Sequence, residues 1–342
     1  MSENGKRNWR GRIAAVAVST IIGFVLIEVF LRIFMPIYQT SILEAYEYDA
    51  ELGTKLKPGI HLFETTDYQD EIKTNKLGTS NFQENWEAYE TLVLAAGDSY
   101  TQGTGLPADM SYPAQLELTL NTDAEGGYSP KFGVVNIGVP GYGGEQSIIA
   151  IRRWWDAAPI KPRFILYMGC DNDYEDDVLF RSGYRHNHLV DGNPKWGPLV
   201  KPLQWVTSDL QIAIRMKIAL GKMRRSAIGV SDGATADASA AGPTVAELER
   251  SVLERLKTFA AEKNAVLILG WSDQGRAYEW AKNWAAENNI EFADWASSVG
   301  AVRELSPDIP IDNQHSGGHH RGWVNRLIAE RFAAAIRSGG NK

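Results

Sequence analysis

The chain has 342 residues, enough for one large domain or two small ones, and its 44% hydrophobic and 23% charged residues exclude wholesale disorder. Its 35 Lys and Arg against 42 Asp and Glu give a net charge of −7, which argues against a nucleic-acid binder. A single cysteine, Cys170, excludes an intrachain disulfide, a Cys-rich zinc site and an Fe–S cluster, while a mean hydropathy of −0.27 excludes a polytopic membrane protein but leaves room for one span.

That span comes first. From Ile13 to Phe34 the chain is almost free of polar residues, long enough at about 1.5 Å per residue to cross a ~30 Å hydrocarbon layer. Lys6, Arg7, Arg10 and Arg12 precede it, and Glu44, Glu47, Asp49 and Glu51 follow it. This asymmetry predicts a basic cytoplasmic tail over 1–12, a transmembrane signal anchor over 13–35, and everything beyond on the periplasmic or extracytoplasmic side. A cleaved signal peptide is the rival reading. A signal peptide's apolar core would be shorter than this run and no convincing small-x-small cleavage site precedes Pro36, so the uncleaved anchor is preferred. Glu28 and Arg32, one helical turn apart, read as an interfacial pair in preference to a contact with a partner helix.

Residues 36–90 form a turn-rich lead-in with a few short strands. Apolar runs alternating with helical patterns then predict strands at Thr91–Ala96, Gly133–Ile137, Phe164–Met168, Ala265–Leu269 and Ile290–Ala293. Between and after them, helices are expected at Tyr112–Leu120, Gln146–Ala157, Val245–Glu262, Tyr278–Glu287 and Gly322–Ile336. The fold class is α/β: a flavodoxin-like, doubly wound, five-stranded parallel sheet over 91–342, with an insert at 173–243 after the third strand. The insert carries an expected hairpin around Asp191-Gly192-Asn193, a basic helix around Arg215–Arg225, and a low-complexity stretch from Ser226 to Gly242 read as a loop. Trp154, Trp155, Trp280 and Trp284 lie in helical patterns and are assigned to packing on the sheet. Trp196 and Trp205 on the insert read as packing ahead of a substrate platform.

Four short blocks at strand ends carry the chemistry. Gly97-Asp98-Ser99 puts an exposed hydroxyl at the carboxyl end of the first strand and the start of a helix, with Asp98 as a structural acceptor for the turn. After the second strand, Asn136 to Gly141 is rich in glycine, which lets backbone amides face a crevice. Asn172 brings an amide to the same edge after the third strand. Asp312, three residues before His315, can hold that imidazole as an acceptor from its ring N–H.

These blocks, in this order, resemble the SGNH (GDSL-type) hydrolase superfamily, and the N-terminal span resembles its membrane-anchored bacterial members. The resemblance covers roughly residues 91–173 and 244–336. It implies Ser99 as nucleophile, His315 and Asp312 completing a triad, and an oxyanion hole from the Ser99 and Gly141 N–H groups and the Asn172 amide. Two positions depart from the pattern: Cys170 stands where a glycine usually precedes the asparagine, and His320 where one usually follows the histidine.

A metal site is the rival, because His315 and His319 are four apart with Asp312 nearby, and His186 and His188 could add ligands. Ser316 occupies the place where a metalloprotease helix needs glutamate, so no metal and no cofactor are expected, and His319 and His320 read as surface or pocket-edge residues. The implied activity is a serine esterase removing O-acyl, O-acetyl foremost, from an extracytoplasmic glycan. An O-acyltransferase using the same acyl-enzyme, a lipid or thioester acylhydrolase, and a non-catalytic binding protein are the alternatives. The expected partners are the ester substrate and, through one helix, a membrane.

Overall fold

The computed structural model describes residues 3–36, 42–65, 69–81, 83–122, 125–227, 245–274, 276–313 and 318–339. They form two compact units, Met1–Glu44 with Leu189–Ala240, and Ala45–His188 with Ala241–Lys342.

The larger unit opens with two antiparallel hairpins, β1 (Tyr46–Asp49) with β2 (Gly53–Leu56) and β3 (His61–Thr65) with β4 (Gln69–Lys73). Its centre is a parallel sheet of β5 (Thr91–Gly97), β6 (Phe132–Asn136), β7 (Phe164–Gly169), β8 (Val266–Trp271) and β9 (Glu291–Phe292), in the order β6-β5-β7-β8-β9. This is the flavodoxin-like order, with the chain reversing direction of travel at β5. Every residue of β7 is buried, as a strand covered on both faces requires, which is why its sequence Phe-Ile-Leu-Tyr-Met-Gly does not alternate.

Helices α2 (Ser99–Gln102), α3 (Tyr112–Asn121), α4 (Gly144–Ala157), α5 (Asp173–Arg181), α8 (Val245–Glu262), α9 (Arg276–Glu287), α10 (Ala296–Leu305) and α11 (Gly322–Gly339) complete this unit. On α11, Val324, Ile328, Phe332 and Ile336 recur every four residues and are all buried with Val93, Leu166 and Ile268 of the sheet. Trp155 and Trp284 are buried, and Trp154 and Trp280 half-buried. The lead-in is stitched into the unit. Arg153 of α4 pairs with Asp49 at 2.8 Å and Glu51 at 2.7 Å, and the Tyr142 hydroxyl donates to the Thr54 carbonyl at 2.7 Å. Burial pushes the Asp49 carboxyl up, but Arg153 and the Leu52 and Glu51 N–H groups outweigh it and hold it at about 2.

The smaller unit contains α1 (Glu3–Phe34), α6 (Val200–Asp209) and α7 (Gln211–Ala227). Among the described residues, Trp9–Phe34 is the one segment long and apolar enough to cross a membrane. The expected Glu28–Arg32 pair forms, but its preference over a partner-helix contact needs correction. Glu28 accepts from Arg32 Nε at 2.8 Å, but it also accepts the Gln211 N–H at 2.9 Å and the Ile212 N–H at 3.1 Å, so it caps a partner helix. An unsatisfied helix N-terminus is a strong donor for a carboxylate, which draws Glu28 to α7. Two further expectations for the insert differ. Around Asp191–Asn193 the described chain makes tight turns, with Asn193 accepting from the Lys195 N–H at 3.0 Å, in place of a hairpin. Trp205 is 61% exposed, so it does not pack. Most of the low-complexity stretch, 228–242, lies outside the described residues.

Behind the sheet, Glu249 of α8 and Asp173 and Asp177 of α5 line a small void with Tyr167 and Trp271. Burial, reinforced by neighbouring carboxylates, pushes Glu249 up to about 8, and burial likewise pushes Asp177 to about 7. Both carboxyls therefore hold a proton in the folded chain that the unfolded chain releases near its ordinary carboxylate pKa. The stability contribution of Asp177 is complete below about pH 3.8 and is lost as pH rises through about 7; that of Glu249 is complete below about pH 4.5 and is lost as pH rises through about 8. Thermal unfolding across that range checks this: the melting temperature falls with pH, and Glu249→Gln flattens the fall.

Candidate active site

Ser99 stands where β5 gives way to α2. Gly97 has φ 150°, and a Cβ there would lie 2.4 Å from Thr101 Oγ1 and 2.6 Å from the Met168 carbonyl, so glycine is required for the sharp turn. Asp98 follows as the cap of α2, accepting the Tyr100 N–H at 2.9 Å, in the structural role the sequence suggests. Asp98 is wholly buried. Burial raises its carboxyl to about 6 and the Asp273 charge adds to this, against the Tyr100 N–H, the Ser99 hydroxyl and the Cys170 thiol.

The pairing of residues 311–313 with 319–321 brings an imidazole to Ser99. Asp312 bridges antiparallel to His320, with the Asn313 N–H donating to the His319 carbonyl at 2.9 Å and the Arg321 N–H to the Ile311 carbonyl at 2.8 Å. In such an extended segment neighbouring side chains take opposite faces. His319 Nε2 lies 2.7 Å from Ser99 Oγ, with the Tyr100 ring 4.9 Å away. His320 turns the other way. Its Nδ1 is 2.6 Å from Asp312 Oδ1 and its Nε2 is 2.8 Å from the Ser272 carbonyl, so both nitrogens face acceptors other than Ser99. A ring held on both sides in this way points neither nitrogen at the Ser99 hydroxyl. His319, read from sequence as an edge residue, is thus the imidazole at the nucleophile, and His315 lies outside the described residues. Asp312 holds His320.

The Ser99 hydroxyl is 2.7 Å from His319 and 3.3 Å from Asp98 Oδ2, and the shorter contact makes Nε2 its acceptor. The Gly138–Gly141 loop runs beside this turn, tied by the Val139 N–H donating to the Gly97 carbonyl at 3.2 Å. Gly141 has φ 71°, and a Cβ would fall 2.2 Å from Arg185 Nη2. Arg185, from the first part of the insert, is 7% exposed, pairs with Asp176 at 3.3 Å and lies over the Tyr142 ring at 6.0 Å. Asn172 stands just before α5 without a side-chain bond to the helix N–H groups, and donates its side-chain amide to Asp176 Oδ2 at 3.0 Å. Cys170 is buried and donates to Asp273 at 3.1 Å. Burial and the surrounding carboxylates push its thiol well up, which makes it a poor nucleophile. Sequence reasoning missed Arg185, Ser272 and Asp273; none sits in a recognisable spacing. Among the described residues, no group of three or more His, Cys, Asp or Glu side chains is arranged to hold a metal ion.

No family profile and no curated protein matches the chain. Several solved structures resemble it. A lipolytic protein of the G-D-S-L family from Desulfitobacterium hafniense DCB-2 is 15% identical, with 72% of this chain and 99% of that chain covered and a TM-score of 0.39. TesA is 14% identical over 72% of this chain and 99% of its own, with a TM-score of 0.42. A catalytic variant of Axe2, an acetylxylan esterase from Geobacillus stearothermophilus, is 15% identical over 72% and 94%, with a TM-score of 0.39.

Because the Gly97 turn aims Ser99, Gly97→Ala tests the local account. The added Cβ meets a neighbouring strand's carbonyl, which cannot swing away as a side-chain tip can. Chemical denaturation is expected to show a loss of about 1–3 kcal/mol.

Proposed function

We propose that this chain is an SGNH-type serine ester hydrolase, held to a membrane by α1 with its catalytic unit outside the cytoplasm. Its substrate class is an O-acylated, foremost O-acetylated, glycan. The observation that carries the reading is the 2.7 Å contact between Ser99 Oγ and His319 Nε2 at the carboxyl end of strand β5. The basic residues before the apolar run of α1, from Ile13, and the acidic residues after it support the orientation.

In the proposed mechanism His319 takes the role of the base, because among the described residues it is the imidazole within hydrogen-bond reach of Ser99. Ser99 passes its proton to His319 Nε2 as its oxygen bonds to the ester carbonyl carbon. The tetrahedral oxyanion takes hydrogen bonds from the Ser99 and Gly141 N–H groups, neither of which has a partner among the described residues. The Asn172 amide adds a donor by turning from Asp176. The tetrahedral centre then expels the alcohol, which takes the proton from His319 and leaves an acyl-serine. Water, deprotonated by the same nitrogen, releases the acid. Asp312 acts through the backbone: its bond to His320 fixes the segment that carries His319.

The test is a panel of short acyl esters and O-acetylated polysaccharides given to the full-length chain in detergent. Acetate release is expected from the wild type and none from Ser99→Ala. Asn172→Ala is expected to lower kcat by on the order of 10²–10³ while leaving the unfolding curve in place. Turnover that survives Ser99→Ala would remove the serine mechanism.

A further inference from the structure

The first turn of α7 is bound to α1, and the rest of it is built like a membrane-surface helix. Gln211 and Ile214 are buried, while Met216, Leu220 and Met223 are 60%, 58% and 60% exposed. With Ala219 they recur at the spacing that lines one helix face. Three long apolar side chains in a row on one face are an unusual surface to leave to water. Nearby in the same unit, Trp205 of α6 is 61% exposed. The α7 sequence holds five basic residues, Arg215, Lys217, Lys222, Arg224 and Arg225, and no acidic one, in a chain whose net charge is −7.

The position of α7 along α1 supplies the occupant. Counting about 20 residues from Ile13, at ~1.5 Å each for a ~30 Å hydrocarbon layer, brings the outer boundary to Arg32. Glu28 lies one turn deeper, and its carboxylate holds the first two N–H groups of α7, while Arg32 donates to the Asp209 carbonyl at the end of α6. The start of α7 is therefore pinned at the level where hydrocarbon meets headgroups. A carboxylate inside a span is costly alone; here a helix N-terminus and a guanidinium satisfy it.

We infer that α6 and α7 form an interfacial membrane element docked on the anchor. The stripe of Met216, Ala219, Leu220 and Met223 enters the acyl chains of the outer leaflet, Trp205 sits at headgroup level, and the net positive charge of α7 favours anionic phosphate headgroups. Glu28 is then a clamp between span and surface helix. This inference rests on α1 being a retained span.

Site-directed spin labelling of the full chain in lipid nanodiscs tests it. Cys170 is buried, so cysteines introduced singly by Met216→Cys, Lys217→Cys, Leu220→Cys, Met223→Cys and, within α1, Phe24→Cys take the nitroxide. The discs hold an equal mixture of phosphatidylcholine and phosphatidylglycerol. Labels at 216, 220 and 223 are expected to collide several-fold more with oxygen than with a water-soluble nickel chelate, and the label at 217 the reverse. In phosphatidylcholine alone the stripe is expected to move toward water; an unchanged depth would overturn the headgroup assignment. Equal nickel access along 216–223 would overturn the inference, since water then covers the stripe. Shielding from both reagents would also overturn it, since protein, such as a second copy, then covers it. The Phe24→Cys label separates the two readings. If it too lacks the oxygen preference, the anchor reading falls along with this one; if it keeps the preference while the stripe does not, only the surface helix is wrong.

Discussion

The short antiparallel pairing of Asp312 with His320 governs the candidate active site. Once those two residues face each other, alternation along the extended segment sends the adjacent His319 to the opposite side, where Ser99 waits. The pairing also consumes His320. Its two nitrogens are committed to a carboxylate and a carbonyl, and its ring packs 4.9 Å from Trp295 at a steep angle. One histidine is thereby made structural and its neighbour left with the reactive contact, though the two are adjacent in sequence. A shift of one residue in the pairing would exchange their roles.

The nucleophile's side of the site depends on close backbone approach. Gly97, Gly138 and Gly141 each sit where a Cβ would fall within 2.6 Å of another atom, so the three loops around Ser99 fit because these side chains are absent. Asp98 beneath them is wholly buried and holds the start of α2, while Asp273 gathers the Cys170 thiol, the Ser272 hydroxyl and the Asp171 N–H. The site is thus backed by acceptors, and the donors near Ser99 are backbone N–H groups. That division suits a reaction whose negative charge develops on the substrate's carbonyl oxygen.

Much of the larger unit was legible because its signals are local. Five runs of Val, Leu, Ile and Ala between amphipathic helices specify a parallel sheet, and each predicted strand lies within a residue or two of its observed position. The Gly97-Asp98-Ser99 turn was legible for the same reason. The contact between His319 and Ser99 was not, because it follows from a pairing register between residues 311–313 and 319–321, whereas spacing from Asp312 points to His315, which lies outside the described residues. The short α10 and the helices α5 and α6 were missed, their apolar positions being too few to stand out. Glu28 was noticed as a charge inside an apolar run, but its partner lies 183 residues away, beyond any periodicity. Arg185 gave no signal at all, since a lone arginine in a loop is usually a solvated one.

The central claim is that Ser99 is activated by His319. It is tested most directly by the rate at which a fluorophosphonate modifies the chain, with the modified residue mapped by mass spectrometry in the wild type and in His319→Ala and His315→Ala. The account predicts modification at Ser99, slowed on the order of 10²–10⁴-fold by His319→Ala and little changed by His315→Ala. Rapid labelling of Ser99 in His319→Ala, with labelling lost in His315→Ala, would contradict it.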